Sequence, residues 1–404
     1  MDLNEMLNRA PLERDMAFSS EEYNGRVRRV QEQMRADGID ILVISSTPNL
    51  GYLSGYDTTM PCGYTVGILP VDGDISLHCS ELESPCALLC STIEQTYVYR
   101  WHEGQDTATQ LGQILIDLGA AHKHIGVEMG NAETFSNVAF DTESYLRLKE
   151  LMPEAKLVNA SKLVLSVRKI KSQAELAYMR TAGEYTAIGL DASLRALEEG
   201  RTENEVVAAG YAAMIAAGSE LMSIDPMIMT GKRTGYMPHI AYRRTPIHRG
   251  DPVYLEYSGC HYRYNAPSMR SGVVGPPSDG LRRLSDAALK VVDLLLENIR
   301  PGRTGHEVAE IAAQGLKDAP EDTYFHGAFG YSIGMGFQPT WTEAPMYIAE
   351  NCHEELQPGM TFHMPICVWV PTEKYGIGFS ESVAVTGDGC TQLTPVRERQ
   401  LVVR

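Results

Sequence analysis

Two rhythms of apolar and polar positions run through this chain. From 20 to 36, SEEYNGRVRRVQEQMRA sets apolar and small residues on one helical stripe among charges, with Ser20 placed to cap the helix. IDILVISS (39–46) is a β-branched run that predicts a strand, and the following TPNLGYLSGY reads as a Pro-Asn turn. YTVGILPV (64–71) predicts a second strand, ending at Asp72-Gly73. Helical spacing returns in DTATQLGQILIDLGA (106–120), strand in HIGVEM (124–129) and helix in TESYLRLKELM (142–152). Such alternation implies an α/β domain that closes near Leu165, dividing the chain into 1–165 and 166–404.

The second part opens on a long amphipathic helix that Ser172 caps and Gly200 ends, and Thr202 starts another in TENEVVAAGYAAMIAAG. DPVYLEYSGCHYRYNAPSMRSGVV (251–274) predicts two strands around a tight turn; helices follow at 283–299 and within 304–317. Towards the C-terminus, TFHMPICVWV (361–370), GIGFSESVAVT (376–386) and TQLTPV (391–396) alternate with period two. There is neither a tandem repeat nor a low-complexity segment.

Length and composition narrow the function classes. At 404 residues, 44% apolar and 22% charged, the chain reads as a folded two-domain enzyme. A net charge of −17 argues against a nucleic-acid partner, because phosphate binding needs clustered Lys and Arg. No apolar run reaches the roughly 18 residues of a spanning helix, which argues against a membrane protein. Eight cysteines without a CxxC pair, and a start lacking an apolar or basic leader, imply a reducing cytoplasm.

Nucleophile elbows, Walker loops, dinucleotide fingerprints and HExxH are missing in usable context. What stands out instead is a set of polar residues inside apolar runs: Glu256 in VYLEY, Glu381 in FSESVAV and His239 in YMPHIAY. A strand carboxylate faces either solvent or a polar pocket, since burying it unpaired is costly.

Five segments, in one order, resemble the creatinase/prolidase family. SVRKIKSQAELAYMRTAG is similar to the helix that opens its catalytic domain, and PNLGYLSGY to a turn of its N-terminal domain. RRTPIHRGDPVYLEY, LQPGMTFHMP and ESVAVTGDGCTQLT resemble its catalytic strands. The resemblance implies a small N-terminal creatinase-like α/β domain followed by a pita-bread catalytic domain. Metallopeptidases of this family hold two metal ions with two Asp, one His and two Glu; the matching positions here are Glu256, Pro267, Tyr331, Pro365 and Glu381. Proline offers no ligand, so the chain looks like the metal-free branch typified by creatinase, and no metal or other cofactor is expected.

In creatinase a His acts as general acid/base and Glu residues grip a cationic substrate. His239, twelve residues before Asp251, and Glu381 match two of these, whereas a third carboxylate position holds Met269. Glu256, with Tyr331 in FGYSIGMG, looks like the pattern of the branch that hydrolyses ectoine, a cyclic amidine. The resemblance thus implies Glu256 as nucleophile or base, His239 as proton shuttle and Glu381 as amidinium holder. Tyr331 either takes part or fills space the metals vacate, as does Gln338 at another family His position. Arg270 binds a substrate carboxylate or pins Glu256 or the hairpin; Phe329 and Trp341 stack on the amidinium or belong to the core. In creatinase-like dimers the region of Met60–Tyr64 reaches the partner's site, which implies a homodimer with Cys62 and Tyr64 as candidate lining residues.

Overall fold

Ser19, one residue before the expected cap, closes the first long helix, its hydroxyl accepting from the Glu22 amide. In this computed structural model, which describes residues 3–104, 106–130, 140–236, 238–395 and 399–404, the chain forms two units, Met1–Arg168 and Lys169–Arg404. A boundary at 165 would cut through a short helix that ends at Arg168, whose guanidinium donates to Asn49 Oδ1 (2.7 Å) within the first unit.

The N-terminal unit carries β1 (Ile41–Ile44), β2 (Thr65–Pro70), β3 (Ser76–Ser80), β4 (Gln95–Tyr99), β5 (His124–Val127) and β6 (Lys156–Asn159) in the order β4-β3-β2-β1-β5-β6. Ile41, Val43, Ile68, Ile125 and Val127 meet Leu111, Leu115 and Leu148 from two covering helices, Thr107–Asp117 and Thr142–Leu151. TPNLGYLSGY, expected as a turn, is instead the helix Thr47–Ser54. Pro48 sits in its first turn, and the buried Glu128 carboxylate accepts from Ser45 N (2.8 Å), Ser46 N (2.7 Å) and Asn49 Nδ2 (2.5 Å). Ser46 makes no side-chain cap bond, and a distant carboxylate instead holds the two amides that lead into the helix.

In the C-terminal unit Ser172 and Glu175 form a capping box for the helix Gln173–Arg195. A further helix, Asp279–Asn298, starts four residues earlier than expected because Ser278 caps it, and it lays Leu284, Val291, Val292 and Leu295 on the main core. The strands are β7 (Met227–Thr230), β8 (Pro252–Tyr257), β9 (Cys260–His261), β10 (Tyr264–Asn265), β11 (Ser268–Val273), β12 (Ala328–Phe337), β13 (Thr340–Ala349), β14 (Thr361–His363), β15 (Ile366–Val370), β16 (Tyr375–Phe379), β17 (Ser382–Val385), β18 (Cys390–Gln392) and β19 (Val402–Val403). They build a sheet β18-β17-β14-β12-β10-β9, with β13 also on β12, a sheet β19-β11-β8-β7 and the pair β15-β16.

Three segments expected as strands are broken, and the breaks position the site. Residues 251–274 form four strands rather than two: the chain leaves one sheet after Tyr257, enters another and returns at Ser268. Gly259 permits this, since a Cβ there would lie 2.5 Å from the Ala182 carbonyl of the neighbouring helix. Residues 361–370 part at Met364-Pro365 and 376–386 at Ser380-Glu381, and the Met364 amide donates to the Glu381 carbonyl (3.0 Å). TQLTPV forms only β18, and its Val396 lies outside the described residues. The long hairpin β12–β13 has no clear period-two signal, because Gly330, Gly334 and Gly336 interrupt it. Among the described residues, no helix is long and apolar enough to cross a membrane.

Candidate active site

Glu256 sits next to the C-terminal end of β8, only 3% exposed, opposite Met269 of β11 and Met227 of β7. Burial pushes its carboxyl up to about 7, opposed by a short hydrogen bond from the Tyr254 hydroxyl to Oε2. Tyr331 and Cys367 are near enough that a charge on Glu256 adds to burial in raising both their pKa values. Tyr254, Met229, Met269, Cys367 and Trp369 make the apolar wall around it. A carboxylate poised near neutrality among apolar groups is what a reactive acid/base or nucleophile needs.

Tyr331, on β12, is held by a buried polar network. Its Oη accepts from Trp341 Nε1 (2.8 Å) and lies 2.8 Å from His363 Nδ1; His363 Nε2 lies 2.6 Å from Ser380 Oγ, which accepts from the Met269 amide (2.6 Å). The β12–β14 register sets Tyr331 opposite His363. Complete burial pushes the His363 imidazole down to about 3, so it is neutral at physiological pH.

Arg270 and Glu381 form a second, separate polar group. Arg270 Nη2 meets Glu381 Oε1 at 2.6 Å with both side chains fully buried, and Thr394 Oγ1 donates to Oε2 (2.8 Å). Arg270 Nη1 also donates to the carbonyls of Met269 and Ser380, 2.7 Å each. Both Glu381 oxygens, of the carboxylate expected to hold the amidinium, are engaged inside the protein, Oε1 by Arg270 and Oε2 by Thr394. Arg270 pins Glu381 and the strand breaks, not Glu256.

The other expected residues divide. Trp341 is a buried support for the Tyr331 oxygen rather than a stacking platform. Phe329 belongs to the main apolar core, 4.7 Å from the Phe325 ring. Gln338 donates from Nε2 to the Met222 carbonyl (2.5 Å) at the end of β12. His239 is exposed in a turn; the next residue, Ile240, packs against the Tyr254–Trp369 cluster. Desolvation and nearby His239 hold the His326 imidazole low, against a hydrogen bond to the Pro365 carbonyl. Cys62 is exposed, and Tyr64 Oη lies 3.0 Å from His78 Nδ1 within the N-terminal unit. His363, Ser380, Tyr254 and Cys367 escaped the sequence reading. His363 carried the same signal as Glu256, a polar residue in the apolar run TFHMPICV.

The metal positions fail as a ligand set. Pro267 and Pro365 have no side-chain donor, Glu381 is committed to Arg270, and the Tyr331 oxygen faces Trp341 and His363. Among the described residues, no group of three or more His, Cys, Asp or Glu is arranged to hold a metal ion.

A C-terminal unit of β-sheets and helices that follows an α/β unit in the chain, with a polar cluster at its strand breaks, defines an enzyme of the pita-bread class. The chain belongs to the creatinase/prolidase family: residues 26–170 match the creatinase/prolidase N-terminal domain and 177–387 match metallopeptidase family M24. It is 30% identical to the ectoine hydrolase of Halomonas elongata, over 96% of this chain and 99% of that protein. It is 25% identical to the Xaa-Pro dipeptidase of Pyrococcus horikoshii, over 94% and 99%. Among solved structures, the prolidase of Thermococcus sibiricus superposes with a TM-score of 0.83 at 19% identity, over 96% of this chain and all of that one. The prolidase of Pyrococcus horikoshii gives 0.80 at 22%, over 94% and 100%.

Proposed function

We propose that this hydrolase opens the cyclic amidine ectoine to N-acetyl-2,4-diaminobutyrate, and hydroxyectoine to the corresponding hydroxylated acetamide, without a metal ion. One observation carries the reading: the position that would be a metal-ligating Asp holds Glu256, buried, hydrogen-bonded by Tyr254 and shifted to about 7. The similarity to an ectoine hydrolase along nearly the whole chain supports the same substrate.

In this mechanism an ionised Glu256 oxygen bonds to the methyl-bearing ring carbon, and the C=N electron pair moves to nitrogen. His239 delivers a proton to a ring nitrogen, the carbon–nitrogen bond breaks, and water then hydrolyses the Glu256 adduct to release the acetamide. Direct activation of water by Glu256 is the other version of the step. Arg270, neutralised by Glu381, keeps the floor of the site rigid. A cytoplasmic homodimer, with Cys62 and Tyr64 near the partner's pocket, belongs to the same reading.

The test is to incubate chelator-treated protein with ectoine and, separately, with creatine, and to follow both by NMR. Acetyl-diaminobutyrate from ectoine alone, abolished in Glu256→Ala, is expected. Turnover of creatine, or activity that returns only with a divalent ion, would overturn the reading.

A further inference from the structure

His239 lies at the tip of the connection between β7 and β8, and that connection is tied off at its neck. The tie is Glu203, the first residue of the helix Glu203–Ala216 and fully buried. Its amide donates to the Thr245 carbonyl (3.0 Å), while its carboxylate accepts from the Thr230 amide at Oε1 (3.0 Å) and from the Arg243 amide at Oε2 (2.7 Å). One residue thus holds both the strand that enters the connection and the segment that leaves it. A buried carboxylate needs a counter-charge, and Arg233 supplies it from inside the connection: Nη1 donates to Glu203 Oε2 and to Thr245 Oγ1 (3.2 Å). The same guanidinium reaches across the tip, where Nη2 donates to the Ala241 carbonyl (2.6 Å). On the other side of His239 the Arg233 carbonyl accepts from the Tyr236 amide (3.2 Å).

Arg233 has a fixed base from which to do this. The turn Gly231–Gly235 that carries it is docked on β16: Thr234 Oγ1 donates to the Gly231 carbonyl (2.7 Å) and accepts from the Gly376 amide (3.0 Å). A Cβ on Gly235 would lie 2.5 Å from the Lys374 carbonyl carbon, so the turn sits directly on that backbone. The described residues of the tip, 236 and 238–242, belong to no helix or strand, and their backbone course depends on ties of this kind. Ile240, between His239 and the braced Ala241 carbonyl, packs against the Tyr254–Trp369 cluster beside Glu256. We propose that Arg233, neutralised by Glu203, is a positioning residue: its guanidinium braces the tip at Ala241 and so fixes where His239 is presented. Three acceptors, on Glu203, Thr245 and Ala241, surround one planar fork. A lysine ammonium can meet the carboxylate, but it cannot hold the carbonyl in the same geometry.

The role rests on His239 as the proton shuttle of the proposed reaction, and two measurements separate its failure from failure of that reading. The first needs no substrate: amide exchange of the full-length protein, read peptide by peptide by mass spectrometry. Arg233→Lys keeps the charge pair, so its Tm is expected to stay near that of the parent. Exchange across 236–242 is expected to become several-fold faster, with β7 and the helix Glu203–Ala216 unchanged. Unaltered exchange at the tip would overturn the proposal even if ectoine is turned over. The second is a double-mutant cycle on ectoine turnover. Arg233→Lys is expected to lower kcat about tenfold with KM within about twofold, because a misplaced catalytic group costs rate rather than binding. In the His239→Ala background it is expected to leave the residual rate unchanged. An equal loss in both backgrounds would mean that the pair serves the fold and not His239, and the proposal would fail. A parent protein that leaves ectoine untouched would count against the substrate, and the exchange result then decides for or against the brace.

Discussion

The residue that organises the chemistry is Glu256, and its burial has a thermodynamic consequence that can be measured apart from catalysis. Its carboxyl rises from 4.5 to about 7 on folding, chiefly through desolvation. A folded pKa above the unfolded one means that the folded state prefers the protonated form. The cost is therefore absent below pH about 4.5, grows as pH rises through 7 and is full above it, where a shift of this size is worth about 3 kcal/mol. Glu256→Gln keeps an acceptor for Tyr254 and removes the charge. It is expected to be inactive yet more stable than the parent at pH 8, with most of the gain gone at pH 5, as read from urea unfolding at both pH values. A stability difference independent of pH would remove burial as the cause. Glu256 was legible as a candidate because a Glu inside VYLEY breaks an apolar run. Its environment was not, because periodicity does not say whether such a side chain faces solvent or a pocket, and Tyr254, two residues away on the same strand face, supplies the partner that decides it.

At the scale of elements, local signals foretold what local interactions determine. The capping boxes at Ser172 and the strands Thr65–Pro70 and Pro252–Tyr257 follow from neighbouring residues. The helix Thr47–Ser54 does not: the residues that lead into it are held by Glu128, 79 residues from Asn49 in the chain. Glu128→Ala should leave the Ser45 and Ser46 amides without their acceptor in a buried place, at a cost of about 2 kcal/mol or more. The expected result is a lower Tm together with faster amide exchange confined to 45–54, and unchanged protection there would refute the anchoring role of Glu128. The strand breaks at Pro365 and Glu381 were equally hidden, because both segments read as unbroken alternation. At the Glu381 break, Arg270 holds the Glu381 carboxylate and the Ser380 carbonyl, bonds that join residues more than a hundred apart.

Across the whole molecule, motif order was the most informative signal, since five short segments spread over both units assign the family while no single one would. The same order exposes what this chain lacks. Its relatives include Xaa-Pro dipeptidases within metallopeptidase family M24, yet of the five metal positions only Glu256 and Glu381 are carboxylates. Glu256 is next to Tyr254 in a largely apolar wall, and Glu381 is already neutralised by Arg270, so a divalent ion arriving here would have to break a buried ion pair to gain a second ligand. A ligand that binds only the folded state raises stability by RT ln(1 + [L]/Kd), about 2.7 kcal/mol at a hundredfold excess over Kd. For this chain the expectation is no such gain: Mn²⁺, Co²⁺ or Zn²⁺ at millimolar concentration should leave Tm unchanged after chelator treatment, while Arg270→Met, which removes the nearer cation, leaves the buried Glu381 with only Thr394 and the longer Arg399 contact (3.8 Å) and lowers Tm with or without metal. A saturable rise in Tm of the parent protein on metal addition would show that the donors here can be rearranged into a site, and would return the chemistry to the metal-dependent route of the peptidases.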